Sequence, residues 1–204
     1  QGQVLAADRE GVLYPLALAD LARARASQYP PFAPHHKWYT FDFSGFRSPA
    51  SHEVWAAIGE TAQAMLHPPI ANLGVRGIHT ARQRTLRWPR EMDAGALKAA
   101  CFNVYIMIDA TGGTGGGLFR YMYARFLDEA AALTGEARLA AVGRSFARAG
   151  DRWQDVALGF REAAQAPDPA QCIEAAGRPL EEIAALEEAA WAELGGLVRE
   201  RQSS

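Results

Sequence analysis

The feature that most constrains the fold is a helical spacing of apolar residues that runs from Ser51 to the end of the chain. Prolines and glycines interrupt this spacing, and Pro68, Pro89, Gly135 and Pro167 mark the clearest breaks. The predicted helices cover about residues 51–66, 75–87, 93–108, 118–133, 137–164 and 179–199. Residues 48–204 are therefore predicted to form a multi-helix domain.

The first part of the chain has a different pattern. Short apolar runs on either side of Gly11 predict a β-hairpin, and alternating aromatic residues predict a further strand. The elements predicted here are a hairpin within residues 4–16, a short helix at 20–27 and a strand at 37–43. The chain as a whole is predicted to be mainly α, with a small β-containing segment at residues 1–47.

Composition excludes several classes of partner. The chain has 204 residues and a formal net charge of −2, so it lacks the positive charge of proteins that bind nucleic acid or acidic membranes. Its longest apolar stretches, such as residues 99–108, are far shorter than the roughly 20 residues that a membrane-spanning helix needs. We expect a cytoplasmic protein without nucleic-acid or membrane partners.

Cysteine and histidine spacing predicts no metal site and no cofactor. Cys101 and Cys172 lie in alanine-rich helical patterns and are predicted to be reduced thiols packed in the interior. The histidines show no spacing typical of metal ligands. They are His35, His36, His52, His67 and His79.

The segment from Gly112 to Gly117 contains five glycines in six positions, directly before a predicted helix. Helix N-termini carry unpaired N–H groups, and glycine lets a ligand or another backbone approach them closely. A phosphate-binding loop would need a lysine after the last glycine, where Leu118 stands. The dinucleotide-binding pattern would need a third glycine at the same position. Both nucleotide motifs are excluded.

Two interpretations of the glycine segment stay open. It is either a turn that lets two helices pack closely, or an anion site at a helix N-terminus. In the second case Arg120 would bind a carboxylate or phosphate. The candidate ligand-binding residues are Gly113, Gly115, Gly116, Gly117, Arg120 and Tyr123.

Other charged and aromatic side chains have structural interpretations. The glutamates of the last helix are predicted to form a solvated face, namely Glu181, Glu182, Glu187 and Glu188. Tyr121, Tyr123 and Trp153 are predicted to serve the core or an interface in preference to stacking on a ligand.

Two groups of segments resemble the butirosin biosynthesis protein H-like family. Residues 4–8, 21–27 and 38–42 resemble the end of its N-terminal domain. The glycine segment with Leu118-Phe119-Arg120, followed by Tyr123 and Trp153, is similar to its helical C-terminal domain of unknown function. The similarity covers about residues 3–165.

The resemblance implies a papain-like N-terminal domain that moves an acyl group from a carrier protein to an amine. Such chemistry uses a thiolate nucleophile, a histidine base and an acid that orients the histidine. Asp8 matches the orienting acid, whereas the nucleophile and the histidine would lie upstream of residue 1. The resemblance thus implies a chain inactive by itself, whose partners are an acyl carrier protein or a small acyl or amine substrate.

Three classes of function follow from these observations. The first is a substrate-binding or dimer-forming part of an acyltransferase-like protein, and the second is a purely structural or oligomerisation module. The third is an independent helical enzyme that uses Asp109, Arg120, His35 or His36, although no spacing brings these residues together. Because the predicted N-terminal strands have exposed edges, we expect another segment to cover them, either an upstream segment or a second copy of the chain in a homodimer.

Overall fold

The computed structural model describes most of the chain, and the description covers residues 2–7, 12–29, 33–109 and 115–203. The chain divides into two compact units, Gln1–Ser48 and Pro49–Ser204. Helices dominate, and the sheet in the described residues has two strands, so the prediction of a mainly α fold is confirmed.

The first unit contains the predicted hairpin. Its elements are β1 (Gln3–Ala7), β2 (Leu13–Ala17) and α1 (Leu18–Arg25). The strands are antiparallel, with Leu5 opposite Pro15. The backbone N–H of Leu18 donates to the carbonyl of Gly2 at 3.2 Å, which continues the pairing to the start of α1. The predicted turn at Gly11 lies outside the described residues.

The predicted strand at residues 37–43 is wrong. The structure has no regular element there, and Trp38, Tyr39, Phe41 and Phe43 are all largely exposed. Alternating aromatic residues favour a strand only where a neighbouring strand accepts their backbone hydrogen bonds. The sheet of the described residues pairs β1 with β2 and leaves this segment without such a neighbour.

The second unit is helical in all its described regular elements. They are α2 (Ser51–Leu66), α3 (Gly74–Thr85), α4 (Trp88–Glu91), α5 (Ala94–Ile108), α6 (Leu118–Thr134), α7 (Arg138–Gln165), a 3₁₀ turn (Pro169–Cys172), α8 (Ile173–Gly177) and α9 (Pro179–Gln202). Each predicted helix from residue 51 onward corresponds to one of these, with ends that agree within a few residues. The short α4, α8 and 3₁₀ turn were not predicted.

Local interactions explain where several helices begin and end. The Glu53 carboxylate accepts a hydrogen bond of 2.8 Å from the Ala50 backbone N–H, which fixes the start of α2. Asp93 caps α5 by accepting from the Ala96 N–H at 2.8 Å. Helix α6 ends at Gly135, whose φ of 77° lies in the left-handed region that glycine favours.

Helix α7 is the centre of the second unit. It packs against α5, α6, α8 and α9, while α9 also packs against α2 and α3. The largest fully buried side chains include Phe146, Phe160, Leu127, Ile183 and Leu194. Among the helices of the described residues, none combines the length and apolarity needed to cross a membrane.

Candidate functional site

A cavity of about 690 Å³ lies in the second unit, and Gly116 of the glycine segment is one of its lining residues. We call it the main cavity. Its walls come from α3, α4, α5, α6, α7 and α9. The large apolar side chains that line it are Trp88, Val104, Ile108, Phe119, Trp153, Val156, Phe160 and Leu180. Its polar lining includes Asn72, Thr80, Arg84, Thr85 and Arg120, and no described lining residue is acidic.

A second, smaller cavity of about 420 Å³ adjoins the main one through two shared residues, Phe119 and Arg120. We call it the side cavity. Its lining is mostly apolar and includes Met65, Phe126 and Trp191. Phe119 is 60% exposed, so the start of α6 presents an apolar side chain at both cavities.

Arg120 forms a two-point ion pair with Glu187 of α9. The Arg120 Nε atom donates to Oε1 at 2.8 Å, and Nη2 donates to Oε2 at 3.1 Å. The Glu187 side chain is 0% exposed and that of Arg120 is 24% exposed. The guanidinium carbon also lies 5.4 Å from the centre of the Trp153 ring, a cation–π distance. Arg120 therefore joins α6, α7 and α9 beside the main cavity.

The prediction that Glu187 belongs to a solvated face is wrong. Glu187 lies seven residues after Leu180 and seven before Leu194, both of which are buried on the inner side of α9. Helical spacing therefore placed Glu187 inside, and its partner Arg120 compensates the buried charge. The predicted exposure holds for Glu181, Glu182 and Glu188.

The described glycines of the glycine segment serve backbone geometry and close packing. Gly115 and Gly116 have φ values of 72° and 61°, which side-chain-bearing residues rarely adopt. Gly117 contacts the backbone of Gly150 in α7, where a Cβ atom would stand 2.4 Å from the Gly150 carbonyl oxygen. These contacts support the close-packing interpretation. The remaining candidate, Gly113, lies outside the described residues.

The anion-site hypothesis stays a prediction, but its charged residue has a partner within the chain. One edge of the Arg120 guanidinium binds Glu187, so the Arg120 charge is already balanced. Of the candidate residues, Gly116 and Arg120 line the main cavity, and Arg120 and Tyr123 line the side cavity.

Tyr123 belongs to an aromatic cluster beside the side cavity. Its ring centre lies 5.1 Å from that of Phe146 and 4.8 Å from that of Trp191. Burial raises the pKa of the Tyr123 phenol well above its ordinary value. Tyr123 thus packs in the core, as predicted, and also forms part of a cavity wall.

Among the described residues of the second unit, the remaining candidates do not come together as a catalytic group. Asp8 lies outside the described residues. Asp109 is buried and accepts a hydrogen bond of 3.1 Å from Gln154 Nε2. Burial raises the pKa of the Cys101 thiol, which disfavours the nucleophilic thiolate. Within the described ranges, no cluster of His, Cys, Asp and Glu is suited to hold a metal ion.

A third hollow, of about 720 Å³, lies between α2 and α9. Its lining contains acidic, basic and histidine side chains, including His52, Glu60, His67 and Arg199. None of its lining residues belongs to the glycine segment. The main cavity, which is more apolar and includes Gly116, is the better candidate for a ligand site.

Two arginines of α3 were missed by the sequence prediction. Arg82 is buried and binds Glu174 at 2.5 Å and Glu181 at 2.7 Å. Arg84 is exposed and lines the main cavity. One signal was present in the sequence, because residues 61–90 contain five arginines and no aspartate or glutamate. That imbalance indicates a basic surface even though the whole chain has a slight negative charge.

One protein-family model matches most of the chain. It is described as a domain of unknown function (DUF4872) and matches residues 19–194, which include part of the first unit and most of the second. No curated protein and no solved structure matches the chain. The main cavity, the Arg120–Glu187 pair and the Gly117–Gly150 contact all lie within the matched range. The chain belongs to the DUF4872 family, a domain of unknown function.

Proposed function

We propose that the helical unit binds the acyl part of a substrate and acts within an acyltransferase-like protein of the butirosin biosynthesis protein H-like family. The observation that carries the proposal is the main cavity. Its volume of about 690 Å³ falls in the range of about 300–1,000 Å³ that is usual for small-molecule sites. A carrier-bound acyl chain or a small acyl compound has the matching apolar chemistry.

The lining supports an apolar ligand more than a polar one. Val104, Ile108, Phe119 and Trp153 present hydrocarbon surface, and each buried CH₂ group of a ligand contributes about 0.8 kcal/mol. Apart from the two arginines, the described polar residues of the lining are Asn72, Thr80 and Thr85. This unit would therefore bind the substrate, and residues outside this unit would carry out the acyl transfer.

Calorimetric binding of octanoyl-N-acetylcysteamine, a neutral thioester with an eight-carbon chain, tests this proposal. Ala81 is exposed and lines the main cavity, so Ala81→Trp should block its mouth without disturbing the core. We expect this variant to bind the thioester at least about tenfold more weakly. Gln83→Trp is the matched control, because Gln83 is exposed on the same helix and does not line the cavity.

Two outcomes would contradict the cavity proposal. The first is a wild-type chain that does not bind the thioester at millimolar concentration. The second is an equal loss of affinity in Ala81→Trp and Gln83→Trp, which would place binding elsewhere.

A second candidate function is a homodimerisation module, and one observation favours it. Apolar side chains on α5 and α6 are exposed, notably Phe102, Ile106, Met107, Phe119 and Met122. Phe102 and Ile106 are four residues apart and so share one face of α5. Exposed apolar surface of this kind is often covered by a partner.

Sedimentation velocity over a range of protein concentrations tests the dimer. The double variant Phe102→Glu with Ile106→Glu should be monomeric where the wild-type chain is dimeric. Ala96→Glu, on another face of the same helix, is the control and should leave the dimer intact. A wild-type chain that is monomeric at about 100 μM would rule out this function.

A further inference from the structure

Arg84 lacks the ion pairs that two nearby arginines, Arg120 and Arg82, form. Arg120 is paired with Glu187, and Arg82 is paired with Glu174 and Glu181. The Arg84 side chain forms no hydrogen bond or ion pair with any residue that the structure describes. It is exposed and contributes to the cavity wall. Its positive charge is therefore uncompensated at the edge of an apolar cavity.

The neighbouring charges reinforce this imbalance. The described lining of the main cavity contains two arginines and no acidic residue, and Glu187 balances only Arg120. Arg76 and Arg87 are exposed on either side of Arg84 along the chain and also make no side-chain ion pair in the described structure. By formal charge the described wall together with Glu187 is positive, and an entering anion would meet no described carboxylate in the wall.

We infer that the main cavity takes an amphipathic ligand, whose apolar chain fills the cavity and whose single anionic group, a carboxylate or a phosphate, binds Arg84. The inference rests on the proposed function, because it names the substrate class of the same cavity. Guanidinium binds either anion through two parallel N–H donors. Thr80, one turn before Arg84 on α3, also lines the cavity, although its hydroxyl donates to the Arg76 or Ala71 carbonyl.

The position of Arg84 on α3 explains why this residue and not its neighbours would bind the anion. Gly77, Ala81, Arg84 and Trp88 follow one another at helical spacing, and all four line the cavity. Arg87 lies on the same stretch of chain but not in the lining. A ligand bound among these residues would reach the Arg84 guanidinium. Arg87 would attract its anionic group only by long-range electrostatics.

The test compares octanoate, its neutral analogue octanamide and octyl phosphate by calorimetry. Wild-type protein should bind octanoate or octyl phosphate about tenfold more tightly than octanamide, as a charge-assisted hydrogen bond at a partly exposed site allows. Arg84→Gln should remove this preference, so that the anions bind no more tightly than octanamide. Arg87→Gln has the same change of charge outside the cavity and should keep the preference. Whichever anion loses more affinity in Arg84→Gln identifies the head group as carboxylate or phosphate.

The outcomes separate the two proposals. If Ala81→Trp abolishes binding of all three ligands but Arg84→Gln changes none, the cavity binds ligands and the role of Arg84 is wrong. If Arg84→Gln and Arg87→Gln weaken the anions equally, the effect is that of general charge and the role of Arg84 is again wrong. If neither octanamide nor the anions bind the wild-type chain, the proposed function fails and this inference fails with it.

Discussion

Gly117, at the N-terminus of α6, lies directly against Gly150 in the middle of α7. A Cβ atom on Gly117 would stand 2.4 Å from the Gly150 carbonyl oxygen and 2.5 Å from its Cα. A Cβ atom on Gly150 would in turn stand 2.8 Å from the Tyr121 ring. The two glycines therefore allow α6 to begin within backbone contact of α7, and this places Arg120 one turn further along, within reach of Glu187.

Gly117→Ala should destabilise the fold by about 1–3 kcal/mol, the usual cost of forcing extra atoms into a packed interior. Its φ of −75° is open to alanine, so the cost comes from the clash with Gly150 and not from backbone strain. Urea unfolding followed by circular dichroism measures the effect. Gly196→Ala is the matched control, because its nearest neighbour would be the flexible Arg199 side chain at 3.9 Å. That variant should be stabilised by up to about 1 kcal/mol.

The Arg120–Glu187 pair predicts an asymmetry between two single variants. Arg120→Met would leave the Glu187 carboxylate, which is 0% exposed, without its partner, at a cost of about 3–5 kcal/mol. Glu187→Leu should cost less, since Arg120 is partly exposed and can turn toward water. Both free energies of unfolding can be measured with chemical denaturant.

The double variant Arg120→Met with Glu187→Leu completes the cycle. It should be much more stable than the sum of the single effects predicts, because an apolar pair leaves no buried charge. Effects that add within about 0.5 kcal/mol would show that the two side chains do not interact in solution.

Most helix bounds could be predicted because the residues that end helices act locally. Gly135 ends α6 through its own backbone angle, and Asp93 begins α5 through its own side chain. The short helices α4 and α8, of four and five residues, are too brief for a periodic pattern to identify. The aromatic residues near Phe41 gave a false strand, because pairing depends on a neighbour that is distant in sequence.

The candidate site could be predicted only in part, since its central contacts join distant segments. Arg120 was identified from the glycine segment, but its partner Glu187 lies 67 residues away. The charge of Glu187 predicts an exposed side chain, whereas its helical spacing from Leu180 and Leu194 places it on the buried face of α9. Arg84 was missed because a cavity wall is built from several helices, and sequence spacing shows only one of them.

The two thiols should differ in reactivity. Cys101 is fully buried, and burial raises its thiol pKa, whereas Cys172 is partly exposed. Ellman's reagent at pH 8 should modify Cys172 first and Cys101 only as fast as the protein opens. Cys172→Ser should lose the fast phase. A fast phase that persists in Cys172→Ser would mean that Cys101 is accessible in the native state.

Tyr121 should titrate late as pH rises. Partial burial is the largest cause that raises its pKa, to about 12, and its hydroxyl also donates a hydrogen bond of 2.7 Å to Asp151 Oδ1. Because the folded pKa lies above the unfolded value of about 10, the stabilising contribution of Tyr121 is complete below pH 10 and is lost between pH 10 and 12. The difference in absorbance at 295 nm between wild-type protein and Tyr121→Phe should show this titration centred near pH 12 in the folded state and near pH 10 in urea. Asp151→Asn should lower the Tyr121 pKa without restoring its ordinary value, because burial remains. A folded-state midpoint near pH 10 in the wild-type chain would contradict both the burial and the hydrogen bond.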